Sequence, residues 1–163
     1  MSMPLVRNPG EGTTYTYYDT VQEQVVSHTE TGGAVTVARL VMRQQDAPPL
    51  HSHSREDESW VVLVGRVRFW VGSTSLDECE VHEAVEGAYV FGPRFVPHTF
   101  QPITETAQVL VINNPGAVEE YFRSVGAADG RHDEDHVDML TRYGLTLFGP
   151  PPVPKGDPRH PER

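Results

Sequence analysis

Four side chains with metal-ligand chemistry stand at intervals that few chain geometries can reconcile: His51, His53 and Glu58 within eight residues, and His98 forty residues further on. In an extended strand, residues two apart share a face, so His51 and His53 project together into one cavity while Ser52 faces away. The polar run Ser54-Arg55-Glu56-Asp57 reads as a loop, after which Glu58 opens the apolar run Trp60 to Val64 and turns back toward the same point. Gly65 stops that run and Arg66 to Val71 begins another, a hairpin signal centred on the glycine. His98 must arrive from elsewhere in the fold, beyond Tyr89-Val90-Phe91 and a stretch stiffened by Pro93 and Pro97, which exclude regular sheet pairing there.

Three imidazoles and one carboxylate form the donor set that borderline divalent transition metals accept: iron, nickel, cobalt, manganese or zinc. Calcium and magnesium call for more oxygen donors. Four protein ligands leave one or two positions open on a five- or six-coordinate ion, the design of a catalytic rather than a structural site. Glu56 competes with Glu58 as the carboxylate; Glu58 is preferred because it keeps the six-residue interval to Gly65.

Along the chain, short β-rich runs alternate with turn clusters, the spacing of an all-β sandwich or barrel. Strands are expected over 14–18, 21–29, 34–42, 50–53, 60–64, 67–71, 89–91, 98–101 and 107–112, with Gly32-Gly33 turning between the second and third and residues 44–49 a stiff lead-in to His51. After Pro115 the periodicity changes. Val118, Tyr121, Phe122 and Val125 recur at helical spacing over 117–125, with Gly126 as a stop. A second helix is expected from Asp133, whose acidic first turn suits the helix dipole, to near Gly144. The chain thus divides into an N-terminal extension (1–13), a barrel (14–114), a helical C-terminal segment (115–148) and a proline-rich tail (149–163) expected to be disordered or polyproline-like.

The length of 163 residues suits one domain. A net charge of -10 speaks against nucleic acid and against an anionic membrane surface. No apolar stretch reaches the length of a membrane span and the N-terminus lacks the apolar core of a signal peptide. The single cysteine, Cys79, cannot form an internal disulfide and suits a reducing cytoplasm.

Both ligand-bearing segments resemble the two signature motifs of the cupin superfamily. The run His51 to Glu58, the glycine at 65 and Pro93-Arg94-Phe95-Val96-Pro97-His98 look more narrowly like the single-domain quercetin-dioxygenase-like members, and the likeness runs from roughly residue 33 to 113. The second segment departs from the pattern. Phe95 stands where a second glycine is usual, Ala88 where an acid is frequent, and Pro102 where an asparagine often follows the histidine. Such a phenylalanine is strained wherever the turn requires a positive φ. The resemblance implies a small antiparallel cupin barrel with His51, His53, Glu58 and His98 on one metal ion. It also implies dioxygen-dependent ring cleavage of a flavonol, or chemistry on a related aromatic or polyketide-like small molecule. Pairing through strand edges makes a homodimer the expected assembly.

In the preferred reading an enol or phenol oxygen binds the metal and Glu58 accepts its proton as general base. Two alternatives remain: a redox-neutral cyclase or isomerase, separated by dioxygen dependence, and a non-catalytic module that binds a small molecule without turnover. The aromatic residues Trp60, Phe69, Trp70, Tyr89, Phe91, Phe95 and Phe100 suit either core or pocket. Phe95 and Phe100, flanking His98, lead the pocket candidates, with Tyr89 and Trp60 beside them. His28, His82 and His160 read as surface residues, His132 and His136 as a solvated helix start, and Cys79 has no partner pattern of a nucleophile.

Overall fold

The computed structural model describes residues 4–17, 20–127 and 135–154. Among them are eleven strands: β1 (Thr13–Tyr17), β2 (Thr20–Val26), β3 (Thr36–Arg43), β4 (Leu50–His53), β5 (Asp57–Val64), β6 (Arg66–Val71), β7 (Glu80–Val85), β8 (Tyr89–Gly92), β9 (His98–Pro102), β10 (Thr106–Asn114) and β11 (Leu145–Gly149). Two helices, α1 (Glu119–Ala127) and α2 (Asp135–Arg142), lie between β10 and β11. The strands form two antiparallel sheets, a six-stranded one ordered β1-β2-β3-β10-β5-β8 and a five-stranded one ordered β11-β4-β9-β6-β7. This is the two-sheet, all-β architecture that the strand spacing led one to expect, with a short helical segment after β10. No helix among the described residues is long and apolar enough to cross a membrane.

Period-two patterning sets the inner faces. Along β10, Ala107, Val109, Val111 and Asn113 are buried in alternation. Opposite them on β5 stand Val62, Trp60 and Glu58, in the pairs Val109↔Val62, Val111↔Trp60 and Asn113↔Glu58. The inner row is therefore apolar for most of its length and polar at one end. Its apolar part joins Met42, Val67, Phe69, Ala84 and Phe100 in one core drawn from both sheets. Burying an aromatic such as Phe69 there stabilises the fold by about 1.5–3 kcal/mol.

Gly65 does not centre a hairpin. Strands β5 and β6 lie in different sheets, β5 pairing with β10 and β8, and β6 with β7 and β9. The glycine is a corner: at φ 84° it passes the chain between layers with a single residue. A Cβ there would meet Thr104 Oγ1 at 2.6 Å and the Thr106 carbonyl oxygen at 2.8 Å.

Two strands escape the sequence reading. Strand β7 is nearly all exposed, with only Ala84 buried, so its edge position leaves no apolar alternation to detect. Strand β11 lies where a helical segment was expected to run out into the tail. It pairs with β4, setting Leu145 opposite His53 and Leu147 opposite His51. The segment before it behaves more nearly as expected. Helix α1 starts two residues later than anticipated, runs through Gly126 to Ala127, and buries Tyr121 and Val125, with Val118 just before it, against Leu140 and Leu145. It is pinned by Glu119, fully buried, whose carboxylate accepts hydrogen bonds from Ser27 Oγ (2.9 Å), the His28 backbone N–H (2.6 Å) and Thr36 Oγ1 (2.8 Å). Helix α2 ends before Gly144, which takes φ 77°. Its expected start at Asp133 lies outside the described residues, as do His132, His160 and residues 155–163 of the tail; the His136 side chain is likewise not described. The described part of the tail packs onto the barrel: Pro152 is buried and its carbonyl accepts from Gln101 Nε2 at 3.0 Å.

Candidate metal centre

Strand β4 delivers His51 and His53 from one face, with ring centroids 5.1 Å apart. Its neighbour β9 places His98 directly opposite His51, at 4.7 Å between centroids. Glu58, second residue of β5, comes from the other sheet. All four side chains are buried, and one ligand atom from each lies within 4.8 Å of every other.

The outer nitrogens of these rings are fixed by acceptors. His51 Nδ1 lies 2.7 Å from the Pro49 carbonyl oxygen and His98 Nδ1 3.0 Å from that of Val96. A carbonyl can only accept, so each Nδ1 carries hydrogen and each Nε2 turns toward the centre. On His53, Nδ1 lies 3.5 Å from Glu56 Oε2, close enough for attraction without an aligned hydrogen bond. Its Nε2 lies 3.2 Å from Glu58 Oε2, and His98 Nε2 lies 2.9 Å from the same oxygen.

Imidazole and carboxylate lone pairs thus converge in a volume shielded from water, and such a focus needs a cation. Protons meet the need in part. Burial works against a charge on His53, but the carboxylates of Glu58 and Glu56 outweigh it and hold the ring up at about 9. Burial, reinforced by the neighbouring imidazoles His98 and His53, drives His51 down to about 3, leaving it neutral. Burial also opposes the Glu58 charge, yet His53 and His98 keep its carboxyl well below the usual carboxylate range. Neither ring nitrogen of His53 has an aligned hydrogen-bond partner, which suits Nε2, the nitrogen on the Glu58 side, to metal ligation. The residues fit a divalent transition metal, with His51, His53, Glu58 and His98 to hold it.

Glu56 lies in the expected loop between β4 and β5, but its side chain turns inward. It is 1% exposed and reaches the far side of His53, the position of a group that orients a metal-bound imidazole. The turn before His98 performs a similar task. The Phe95 N–H donates to the His53 carbonyl at 2.7 Å, and Arg94 clamps Asp57 through its backbone N–H (2.9 Å) and guanidinium (3.1 and 2.8 Å). Together with the Val96 carbonyl on His98, this turn ties the three ligand-bearing strands. Phe95 takes φ 69° in it, the positive value the sequence marked as costly.

The centre opens into a cavity lined by Leu40, Met42, Phe100, Phe122, Leu140 and Leu147 among apolar residues, and by Gln22, Thr36 and Asn113 among polar ones. Of the aromatic pocket candidates, Phe100 lines it. Trp60 does not: fully buried, it packs behind His98 (5.2 Å between centroids) and Phe100 (5.5 Å). Tyr89 and Phe95 lie outside, 63% and 67% exposed. On β8 it is Val90 and Gly92 that face Trp60 and Glu58 in register, which turns Tyr89 outward, where its hydroxyl donates to Ser59 Oγ at 2.9 Å. The polar wall went unread in the sequence, although the β10 alternation, extended by one step, reaches Asn113.

Residues 38–113 match the family model described as a cupin domain. In structure the chain is similar to the iron(II) form of HppE (TM-score 0.56, 20% identity, covering 68% of this chain and 60% of that one). It is similar to KdgF from Halomonas sp. (TM-score 0.58, 12% identity, 69% and 94% covered) and to the polyketide cyclase RemF from Streptomyces resistomycificus (TM-score 0.56, 18% identity, 69% and 80% covered). The chain spans only 60% of the length of HppE, and at these identities the likeness is one of fold. No curated protein matches the chain by sequence.

Proposed function

We propose that this chain, built on a cupin domain with a three-histidine, one-glutamate centre, is a metal-dependent enzyme acting on an aromatic or polyketide-like enol, with quercetinase-like dioxygenation as its reaction. The observation that carries the proposal is the convergence of four ligand atoms beside a largely apolar cavity that His51, His53 and Glu58 line. A bound ion would act as a Lewis acid toward a substrate oxygen in an open position. Phe100, with Leu40 and Met42, offers a flat apolar wall to a ring system. Glu58, anionic and within reach of that position, accepts the enol proton. Glu56 holds the His53 ring in place, and the C-terminal segment adds the apolar residues Phe122, Leu140 and Leu147 to the cavity lining.

The test is metal analysis of protein purified without added metal or a histidine tag, with dioxygen uptake measured on flavonols and aromatic polyketides. Near-stoichiometric iron, nickel, cobalt or manganese with substrate-dependent uptake is expected. Zinc with turnover but no oxygen consumption transfers the assignment to a redox-neutral cyclase or isomerase, a reading to which the fold shared with a polyketide cyclase lends support. Binding without product makes it a binding module. Glu58→Gln, metal retained, is expected to lose turnover; full activity refutes the base role. The homodimer belongs to the same proposal and is read by light scattering.

A further inference from the structure

Most polar groups on the cavity wall are already engaged. Gln24 Nε2 donates to the carbonyls of Val26 (2.7 Å) and Val37 (3.1 Å), and Thr36 Oγ1 donates to Glu119 at 2.8 Å. Asn113 is different. It is 2% exposed and lines the cavity, and its Nδ2 has no hydrogen-bond partner. A buried amide N–H given no acceptor by the protein is a standing loss to the fold. Such a donor is accounted for by an acceptor that arrives from outside.

Its position says what that acceptor is. Asn113 is paired directly with Glu58 across β10 and β5, and directly opposed residues on one face bring their Cβ atoms to about 4.5–5.5 Å. The amide therefore stands beside the metal ligands, within a bond or two of any substrate oxygen held there. From this geometry we infer that Asn113 is a substrate-positioning residue, whose Nδ2–H donates to a second oxygen of the substrate. That oxygen is a ketone or phenolate borne on a carbon next to, or one beyond, the carbon whose oxygen ligates the metal. The inference rests on the proposed function and narrows it: the substrate carries two neighbouring oxygens on one edge, as α-hydroxyketones, β-ketoenols and ortho- or peri-oxygenated aromatics do. A substrate with a single oxygen leaves the amide unpaired and is disfavoured for that reason.

The experiment uses the full chain loaded with cobalt(II), whose visible spectrum reports ligation at the metal. Two probes are titrated: 3-hydroxyflavone, which has adjacent enol and ketone oxygens, and phenol, which has one. Asn113→Leu is expected to weaken 3-hydroxyflavone about tenfold while leaving phenol affinity, cobalt affinity and Tm unchanged, or Tm slightly higher because an unpaired polar group is gone. Asn113→Ala removes the donor without adding a charge beside Glu58 and is read the same way should the leucine variant fail to fold. Equal 3-hydroxyflavone binding by the wild type and both variants overturns the inference and leaves the aromatic-substrate reading intact. Loss of cobalt affinity in the variants also overturns it, making Asn113 a support for Glu58. A wild-type spectrum unmoved by either probe overturns the aromatic-substrate reading and the inference together.

Discussion

Replacing Phe95 separately by glycine and by alanine should reverse the usual stability order of those two residues. In ordinary backbone, glycine is less stable than alanine by about 0.4–1 kcal/mol, because its unfolded chain has more freedom to lose. Phe95 sits at φ 69°, where any residue with a Cβ costs about 1–2 kcal/mol. Alanine keeps that cost and glycine removes it, so the difference between the variants becomes about 0.5–1 kcal/mol in favour of glycine. The side chain adds little to the balance. At 67% exposure about one third of its surface is covered, and losing that burial costs both variants roughly 0.5–1 kcal/mol alike. Phe95→Gly should thus stay near wild type and Phe95→Ala fall below both. Urea unfolding reads the gap as a midpoint difference of about 0.3–0.5 M at a slope of roughly 2 kcal/mol/M. The Phe95 N–H bond to the His53 carbonyl survives in both variants, so metal affinity should not change. An alanine variant as stable as the glycine one, or more so, refutes the strain argument.

Metal should stabilise the native state by about 2.7 kcal/mol at a free concentration one hundredfold above Kd, which for a domain of this size raises Tm by roughly 5–10 °C; a chelator-treated sample that melts with the untreated one contradicts the site. Glu56→Gln removes the charge facing His53 Nδ1 and is expected to weaken metal binding about 10–100-fold, as read by competition with a coloured chelator; unchanged affinity dismisses Glu56 as an orienting group. The side-chain and backbone hydrogen bonds from Arg94 hold the Asp57 carboxyl down at about 2, against an ordinary 3.8. A lowered carboxyl stabilises above its unfolded value and loses that contribution as pH falls through its folded one. The wild type should therefore lose stability between pH 3.8 and 2 that Arg94→Met lacks, and NMR titration should show Asp57 rising toward 3.8 in the variant; an unmoved Asp57 removes the clamp from the account.

What could be read from the sequence was what local periodicity and ligand chemistry determine. The pairing of His51 with His53 follows from a strand's two-residue period, and His98 from the resemblance of its segment to the second cupin motif. The strained φ of Phe95 was legible only through that resemblance, as a phenylalanine standing where the family's second glycine is usual. The rest depended on which layer each strand joins, and that is decided at corners. Gly65 looks the same in sequence whether it turns a hairpin or passes the chain between sheets; the outcome rests on Thr104 and Thr106, some forty residues away, crowding its missing Cβ. Strand β2 shows the deeper reason the cavity wall was missed. Its pattern is inverted, with Gln22 and Gln24 each 2% exposed and Val21 60% exposed. Hydrophobic patterning assigns such a strand to the wrong face, because it assumes that the inside is core. At the end of a barrel where a cavity opens the inside is a wall, and polar residues point inward where the protein satisfies them, as the Val26 and Val37 carbonyls satisfy Gln24. Asn113 continues that logic on β10: after Ala107, Val109 and Val111 the inward row changes to an amide in register with Glu58. An inward-facing alternation that turns polar beside a metal-ligand carboxylate marks where core gives way to site, and the unpaired amide at that boundary is what distinguishes a substrate wall from a merely solvated barrel end.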